Sequence, residues 1–168
     1  AATTAFWTAC RAHRRITLPS GEQVPVPVVS GGSGTREHPT QALLDVYTLQ
    51  RSLRAVGGLD GKTLMLVGDL ARGRTTRSLA FLMPEYAGVR LIFASPERYR
   101  MKRDVLDFLD AHGVPWSTVD RLDDGIEQAD AVYMTRIQDE HDPGRPKGSH
   151  EATEHALRFT LDHLHHIG

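Results

Sequence analysis

The chain is short of the residues that staple or span. One cysteine, Cys10, stands among 168 residues, so no internal disulfide can form, and that scarcity suits a reducing cytoplasm. Cys10 itself reads as a small buried apolar residue. No run of about 18 apolar residues exists to cross a bilayer, and no charged-then-apolar leader is read at the start. Charge of one sign is missing too. Twenty basic against 21 acidic side chains leave a net charge of −1, so nucleic acid and anionic membrane surfaces are not expected partners and any anion must be held locally. The glycines obey neither the GxGxxG nor the GxxxxGK[ST] spacing, which removes the common nucleotide loops. Neither Ser33 nor Ser78 lies in a GxSxG elbow, so covalent serine catalysis has no support. His155, His163, His165 and His166 are numerous, yet no third ligand completes a metal set. No metal or cofactor is expected.

Hydrophobic residues at 40% and charged residues at 24% are globular values. The first residue is Ala1, and Ala1–His13 already has the spacing of a helix body, so the chain is expected to be a segment of something longer. Thr17–Gln23 reads as a loop, and Val24–Val29 as an edge strand interrupted by Pro25 and Pro27. After Gly31, Gly32 and Gly34, an apolar stripe of helical period begins behind Pro39 and stops at Gly57-Gly58. From Lys62 short apolar runs alternate with amphipathic stretches, the pattern of an α/β fold with a parallel sheet and helices on both faces. Strands are expected at Thr63–Val67, Val89–Phe93, Trp116–Val119 and Ala131–Met134. Helices are expected at Thr75–Tyr86, Lys102–His112, Asp123–Gln128 and Glu151–Leu164, with a loop over Asp139–Ser149. The glycine pair near Arg54–Asp60 divides the chain into residues 1–54 and 55–168.

Ligands of an open parallel sheet gather outside the carboxyl ends of its strands. His38, pushed into the extended region by Pro39, stands just outside a helix start where free amides favour an anion. Its ring N–H can meet a carbonyl or phosphate oxygen, and Gln41, one turn on, can meet an amide. The plainer reading is a helix cap beside a solvated glutamine. Gly68-Asp69-Leu70-Ala71-Arg72-Gly73-Arg74-Thr75 offers guanidinium forks with Thr75 as a cap. Its plainer reading pairs the arginines with Asp69 or Glu85. Alternation along Thr135-Arg136-Ile137-Gln138 puts Arg136 and Gln138 on one face, and two arginines with an amide suit a small dianion.

Together, Gly31-Gly32-Ser33-Gly34 with His38-Pro39-Thr40-Gln41-Ala42-Leu43-Leu44-Asp45, then Gly68-Asp69-Leu70-Ala71-Arg72-Gly73-Arg74-Thr75, then Tyr133-Met134-Thr135-Arg136-Ile137-Gln138, resemble three successive signatures of the aspartate carbamoyltransferase family, in order and in approximate spacing. The sister ornithine enzymes share the His-Pro-x-Gln stretch but not Thr-Arg-Ile-Gln. The resemblance implies transfer of the carbamoyl group of carbamoyl phosphate to the amino group of L-aspartate, in pyrimidine synthesis. It implies that His38 polarises the carbamoyl carbonyl as the catalytic group, that Gln41 holds the carbamoyl amide, and that Arg74 and Arg136 hold the aspartate carboxylates with Gln138 in support. It also makes residues 1–54 the C-terminal part of a carbamoyl-phosphate lobe and 55–168 an aspartate lobe. A homotrimer, with regulatory or other pyrimidine-pathway chains as further partners, is implied as well. The family's Ser-x-x-Thr-Arg-Thr phosphate motif and its His-Pro-Leu-Pro-Arg segment are absent from this sequence, and Ala71-Arg72 departs from the usual pair. Two other readings are therefore carried: a catalytically incomplete binding partner, and a transcarbamoylase for another amino acid.

Overall fold

A computed structural model describes residues 15–25, 31–32, 37–137 and 156–165. The expected helix over Ala1–His13, most of the Val24–Val29 strand, the Asp139–Ser149 loop, Cys10, Gly34 and Gln138 lie outside them.

Four short β-branched and apolar runs form a parallel sheet: β3 (Thr63–Val67), β4 (Arg90–Ala94), β5 (Trp116–Val119) and β6 (Ala131–Met134). The spatial order is β5-β4-β3-β6. Parallel register joins Leu64 to Leu91 on one side of β3 and to Ala131 on the other. Because successive side chains point to opposite faces, one face presents Leu64, Leu66, Leu91, Phe93 and Tyr133, the other Met65, Val67, Ile92 and Ala94. The first face is covered by α1 (Pro39–Ser52), α2 (Arg74–Ala80) and α3 (Arg103–Ala111), through side chains such as Val46, Leu79, Val105 and Leu109. The second face is covered by Leu122, Ile126 and Leu157 from irregular segments and 3₁₀ turns. Each such buried side chain contributes about 1.5–3 kcal/mol relative to exposure.

Several sequence expectations are corrected. Thr17–Gln23 is not a simple loop. It carries the turn of a small hairpin in which β1 (Arg15–Thr17) pairs antiparallel with β2 (Gln23–Pro25), apart from the main sheet. The helix expected over Thr75–Tyr86 starts one residue earlier and ends at Ala80. Leu82 N–H already bonds back only three residues, to Leu79, and a 3₁₀ turn follows at Met83–Glu85. Pro84 explains the break, since it has no N–H to donate back to the Ala80 carbonyl and disfavours the α conformation in the residue before it. Gly73, not Thr75, is the N-cap residue of α2. Asp123–Gln128 yields only a 3₁₀ turn at Ile126–Gln128, with Gly125 before it outside the helical region at φ −145°. Glu151–Leu164 is not one helix: Arg158–Thr160 is irregular and Leu161–His165 is a 3₁₀ turn. Burial of Leu157 under the sheet and the bond from Leu122 N–H to the Ala156 carbonyl carry the chain out of a helix here. His163 Nδ1 then accepts the Thr160 N–H at 2.8 Å.

Pro39 opens α1 as its first residue, behind His38 as N-cap. The helix ends at Ser52, short of the expected glycines, and a 3₁₀ turn (Arg54–Val56) reaches Gly57 in the left-handed region at φ +95°. Of its apolar stripe, Val46, Leu49 and Leu53 pack on the core, while Leu43, Leu44 and Tyr47 remain exposed. Among the described residues no helix is long and apolar enough to cross a membrane.

Candidate active site

The chain runs β3, β4, β5 in one direction across the sheet and then returns to place β6 on the other side of β3. Leu70 after β3 packs on one face of the sheet and Ile137 after β6 on the other, so their adjacent carboxyl ends form a topological switch point, where open α/β sheets take ligands. Gly68–Arg74 follows β3 there, and Thr135-Arg136 follows β6. Thr135 N–H extends the pairing by donating to the Val67 carbonyl at 2.8 Å. Gly68 stands at φ +120°, and a Cβ on it would overlap the Thr135 carbonyl oxygen. Only glycine lets the two loops approach so closely.

The β3 loop is built around a buried carboxylate. Asp69 is fully buried and accepts the Arg72 backbone N–H at 3.1 Å and Arg72 Nε at 2.6 Å. Leu70 and Ala71 N–H groups both donate to the Tyr99 carbonyl, and the Arg72 guanidinium lies over the Tyr99 ring at 5.4 Å. Gly73 packs against the Asp69 carbonyl, where a Cβ would come within 2.8 Å. Arg77 pairs with Asp104 at 2.7 Å rather than with Asp69 or Glu85. The plainer reading of the arginines thus holds for Arg72, whose partner is Asp69. Arg74, the first residue of α2, is exposed. It lines a cavity of about 400 Å³ together with Glu37, Arg72, Arg77 and Lys102. A Cβ on Gly32 would sit 3.9 Å from its Nη1, which brings Gly32 alongside. Arg136 is exposed just beyond β6.

The start of α1 is drawn onto this edge by two long-range bonds. His38 N–H donates to Ser78 Oγ of α2 at 2.9 Å, and the Tyr133 hydroxyl of β6 donates to Asp45 Oδ2 of α1 at 3.0 Å. His38 Nδ1 accepts the Gln41 N–H at 3.3 Å. A backbone N–H can only donate, so this ring nitrogen carries its lone pair and the proton of the neutral imidazole sits at Nε2. His38 is therefore both a cap and a half-buried N–H donor. Gln41 is not solvated at its amide nitrogen, which donates to Asp45 Oδ1 at 2.8 Å. Burial pushes the Tyr133 hydroxyl above the usual tyrosine value; Asp45 adds to the rise and a hydrogen bond with Thr75 opposes it.

The family model for the Asp/Orn binding domain of aspartate/ornithine carbamoyltransferases matches residues 60–163. The chain belongs to the aspartate/ornithine carbamoyltransferase family. The chloroplastic aspartate carbamoyltransferase of Arabidopsis thaliana is 50% identical over 115 residues, which is 68% of this chain and 29% of that protein. The catalytic subunit of M. jannaschii aspartate transcarbamoylase superimposes with a TM-score of 0.73 at 32% identity, over 84% of this chain and 45% of that one. The Trypanosoma cruzi aspartate transcarbamoylase in complex with aspartate and phosphate superimposes with a TM-score of 0.60 at 36% identity, over 68% of this chain and 37% of that one. The chain thus spans less than half the length of these carbamoyltransferases. The matched domain contains Arg74 and Arg136, whereas His38 and Gln41 precede it.

Asp45, Ser78, Tyr133 and the loop-organising role of Asp69 were not singled out as site residues by the sequence. For Asp45 a signal was present, since Gln41 and Asp45 stand at i, i+4 in a helix, a known hydrogen-bonding spacing. Nothing local marks Ser78 or Tyr133, whose partners lie 40 and 88 positions away.

Proposed function

We propose that this chain carries the acceptor half of an aspartate carbamoyltransferase site, transferring the carbamoyl group of carbamoyl phosphate to the α-amino group of L-aspartate. In that reaction the unprotonated amine nitrogen bonds to the carbonyl carbon, the carbon–oxygen bond to phosphate breaks, and the proton shed by that nitrogen leaves with the phosphate. The products are N-carbamoyl-L-aspartate and phosphate, the acceptor step of pyrimidine synthesis. The observation that carries the reading is the meeting of the α1 start with the β3/β6 switch point, through His38–Ser78 and Asp45–Tyr133.

In this reading His38 Nε2–H donates to the carbonyl oxygen as negative charge develops on it, a preorganised contact worth about 10²–10³ in rate. Gln41 holds the carbamoyl NH₂. Arg74 and Arg136 clamp the two carboxylates of aspartate, with Gln138 in support. Fixing both ends aims the amine at the carbonyl and supplies several kcal/mol of orientation. The amine attacks unprotonated, so the rate rises toward alkaline pH. No cofactor enters the scheme. Residues 1–54 belong to the carbamoyl-phosphate lobe and 55–168 to the aspartate lobe. The working form is a homotrimer in the cytoplasm, open to regulatory or pathway partner chains.

The test is product formation by the full-length protein with carbamoyl phosphate and either L-aspartate or L-ornithine. Saturable production of N-carbamoyl-L-aspartate with release of phosphate is expected. Turnover with ornithine, or saturable binding of a dicarboxylate bisubstrate mimic without any turnover, rejects the assignment.

A further inference from the structure

A glutamine carboxamide has nearly the same shape in its two flipped orientations, so only its hydrogen-bond partners decide which end faces a ligand. At Gln41 that choice is made by a carboxylate. Asp45 offers acceptors alone, and Gln41 Nε2 donates to its Oδ1 at 2.8 Å. The amide oxygen must then point away from Asp45. Asp45 is itself held from the sheet, because its second oxygen accepts the Tyr133 hydroxyl at 3.0 Å. Tyr133 is half-buried on the α1 face of the sheet and sits three residues before Arg136. The backbone N–H of Gln41, one turn into α1, meets the His38 ring.

We propose that Asp45 and Tyr133 are positioning residues that lock the Gln41 amide oxygen outward, so that the site selects an acyl phosphate bearing an NH₂ group over one bearing a methyl group. The inference rests on the carbamoyl-transfer reading of the site. His38 then presents one N–H donor and Gln41 one oxygen acceptor, the complement of a carbamoyl group, which has a C=O acceptor and an N–H donor. Acetyl phosphate keeps the C=O and the phosphate but lacks the N–H. The Gln41 oxygen would be left unpaired against its methyl group, which is the stronger source of discrimination. With the amide free to flip, this discrimination is lost while the His38 and phosphate contacts survive.

The experiment measures, on the full-length protein in its native assembly, the KM for carbamoyl phosphate and the inhibition constant of acetyl phosphate in wild type, Asp45→Asn and Tyr133→Phe. The carboxamide introduced by Asp45→Asn can donate to the Gln41 oxygen and so permits the flip. Asp45→Asn is expected to raise the carbamoyl phosphate KM about tenfold and to leave the acetyl phosphate constant within twofold. Tyr133→Phe, which removes only the hydroxyl and keeps the ring, is expected to act in the same direction more weakly and to add nothing in the Asp45→Asn background. Asp45→Glu, which keeps an acceptor-only partner, should recover part of the preference. A merely structural role would weaken both ligands together. An active wild type whose variants lose both ligands equally, or lose neither, overturns the inference alone. A wild type that carbamoylates no aspartate overturns the functional reading and the inference with it.

Discussion

Ser78, buried on α2, accepts the backbone N–H of His38 at 2.9 Å across 40 positions of sequence. The catalytic imidazole proposed here is thus seated by a hydroxyl from the acceptor lobe. Ser78→Ala leaves a partly buried N–H without its acceptor, a loss of about 1–3 kcal/mol. Thermal unfolding should show the lower midpoint, and kcat should fall more than the KM for aspartate. A variant with unchanged turnover would show that His38 is seated without this bond.

Gly68 joins the two loops of the switch point. Gly68→Ala must place a Cβ into the Thr135 carbonyl and hold a non-glycine residue at φ +120°, a strain of about 1–3 kcal/mol before any displacement. Relief requires the Thr135-Arg136 segment to move. The expected result is a lower denaturation midpoint together with a raised KM for aspartate; loss of stability with an unaltered KM would detach Arg136 from the acceptor.

Arg136 and Arg74 are proposed to grip carboxylates by their forked geometry. Arg136→Lys keeps the charge and loses the fork. A deficit of about 1.5 kcal/mol, roughly tenfold in the KM for aspartate, is expected from the lost charged hydrogen bond. Carbamoyl phosphate saturation should stay near the wild-type value. The same affinity for aspartate in Arg136→Lys would remove the residue from the site.

Asp130 ties the entry of β6 to that of β3. Partial burial alone would raise its carboxyl, but the Thr63 N–H and the Lys62 ammonium hold it below the ordinary carboxylate value. Asp104 beside Arg77, and Asp123 beside His163 and Arg121, are held low in the same way. A carboxyl whose folded value is depressed stabilises the fold above its unfolded value, near pH 4, and loses that contribution as pH falls through the folded value. Denaturation of wild type and Asp130→Asn at a series of pH values should show a gap that is full at neutral pH and closes in acid. A gap that widens on acidification would reverse the sign of this assignment.

The strand-helix series from Lys62 was legible because its signals are local. Apolar runs bounded by glycine and proline mark β3 to β6, and α1 opens where Pro39 requires it. The loops that carry Arg74 and Arg136 were placed at strand ends by the same logic. Helix ends were read less well. Pro84 cut α2 short, and the segment from Ala156 is not helical where the Ala156 carbonyl accepts the Leu122 N–H and Leu157 packs on the sheet's far face.

Residue type and spacing alone determined the parallel α/β architecture, the His38–Gln41 pair at a helix start and the two arginine-bearing loops, since each depends on neighbours within a turn or a strand. The tertiary structure decided that β6 returns beside β3, that Arg72 is spent on Asp69, and that Ser78 and Tyr133 reach back to His38 and Asp45. Those outcomes depend on contacts between residues tens of positions apart, where the cost of closing the loop is met only by the burial of the whole core.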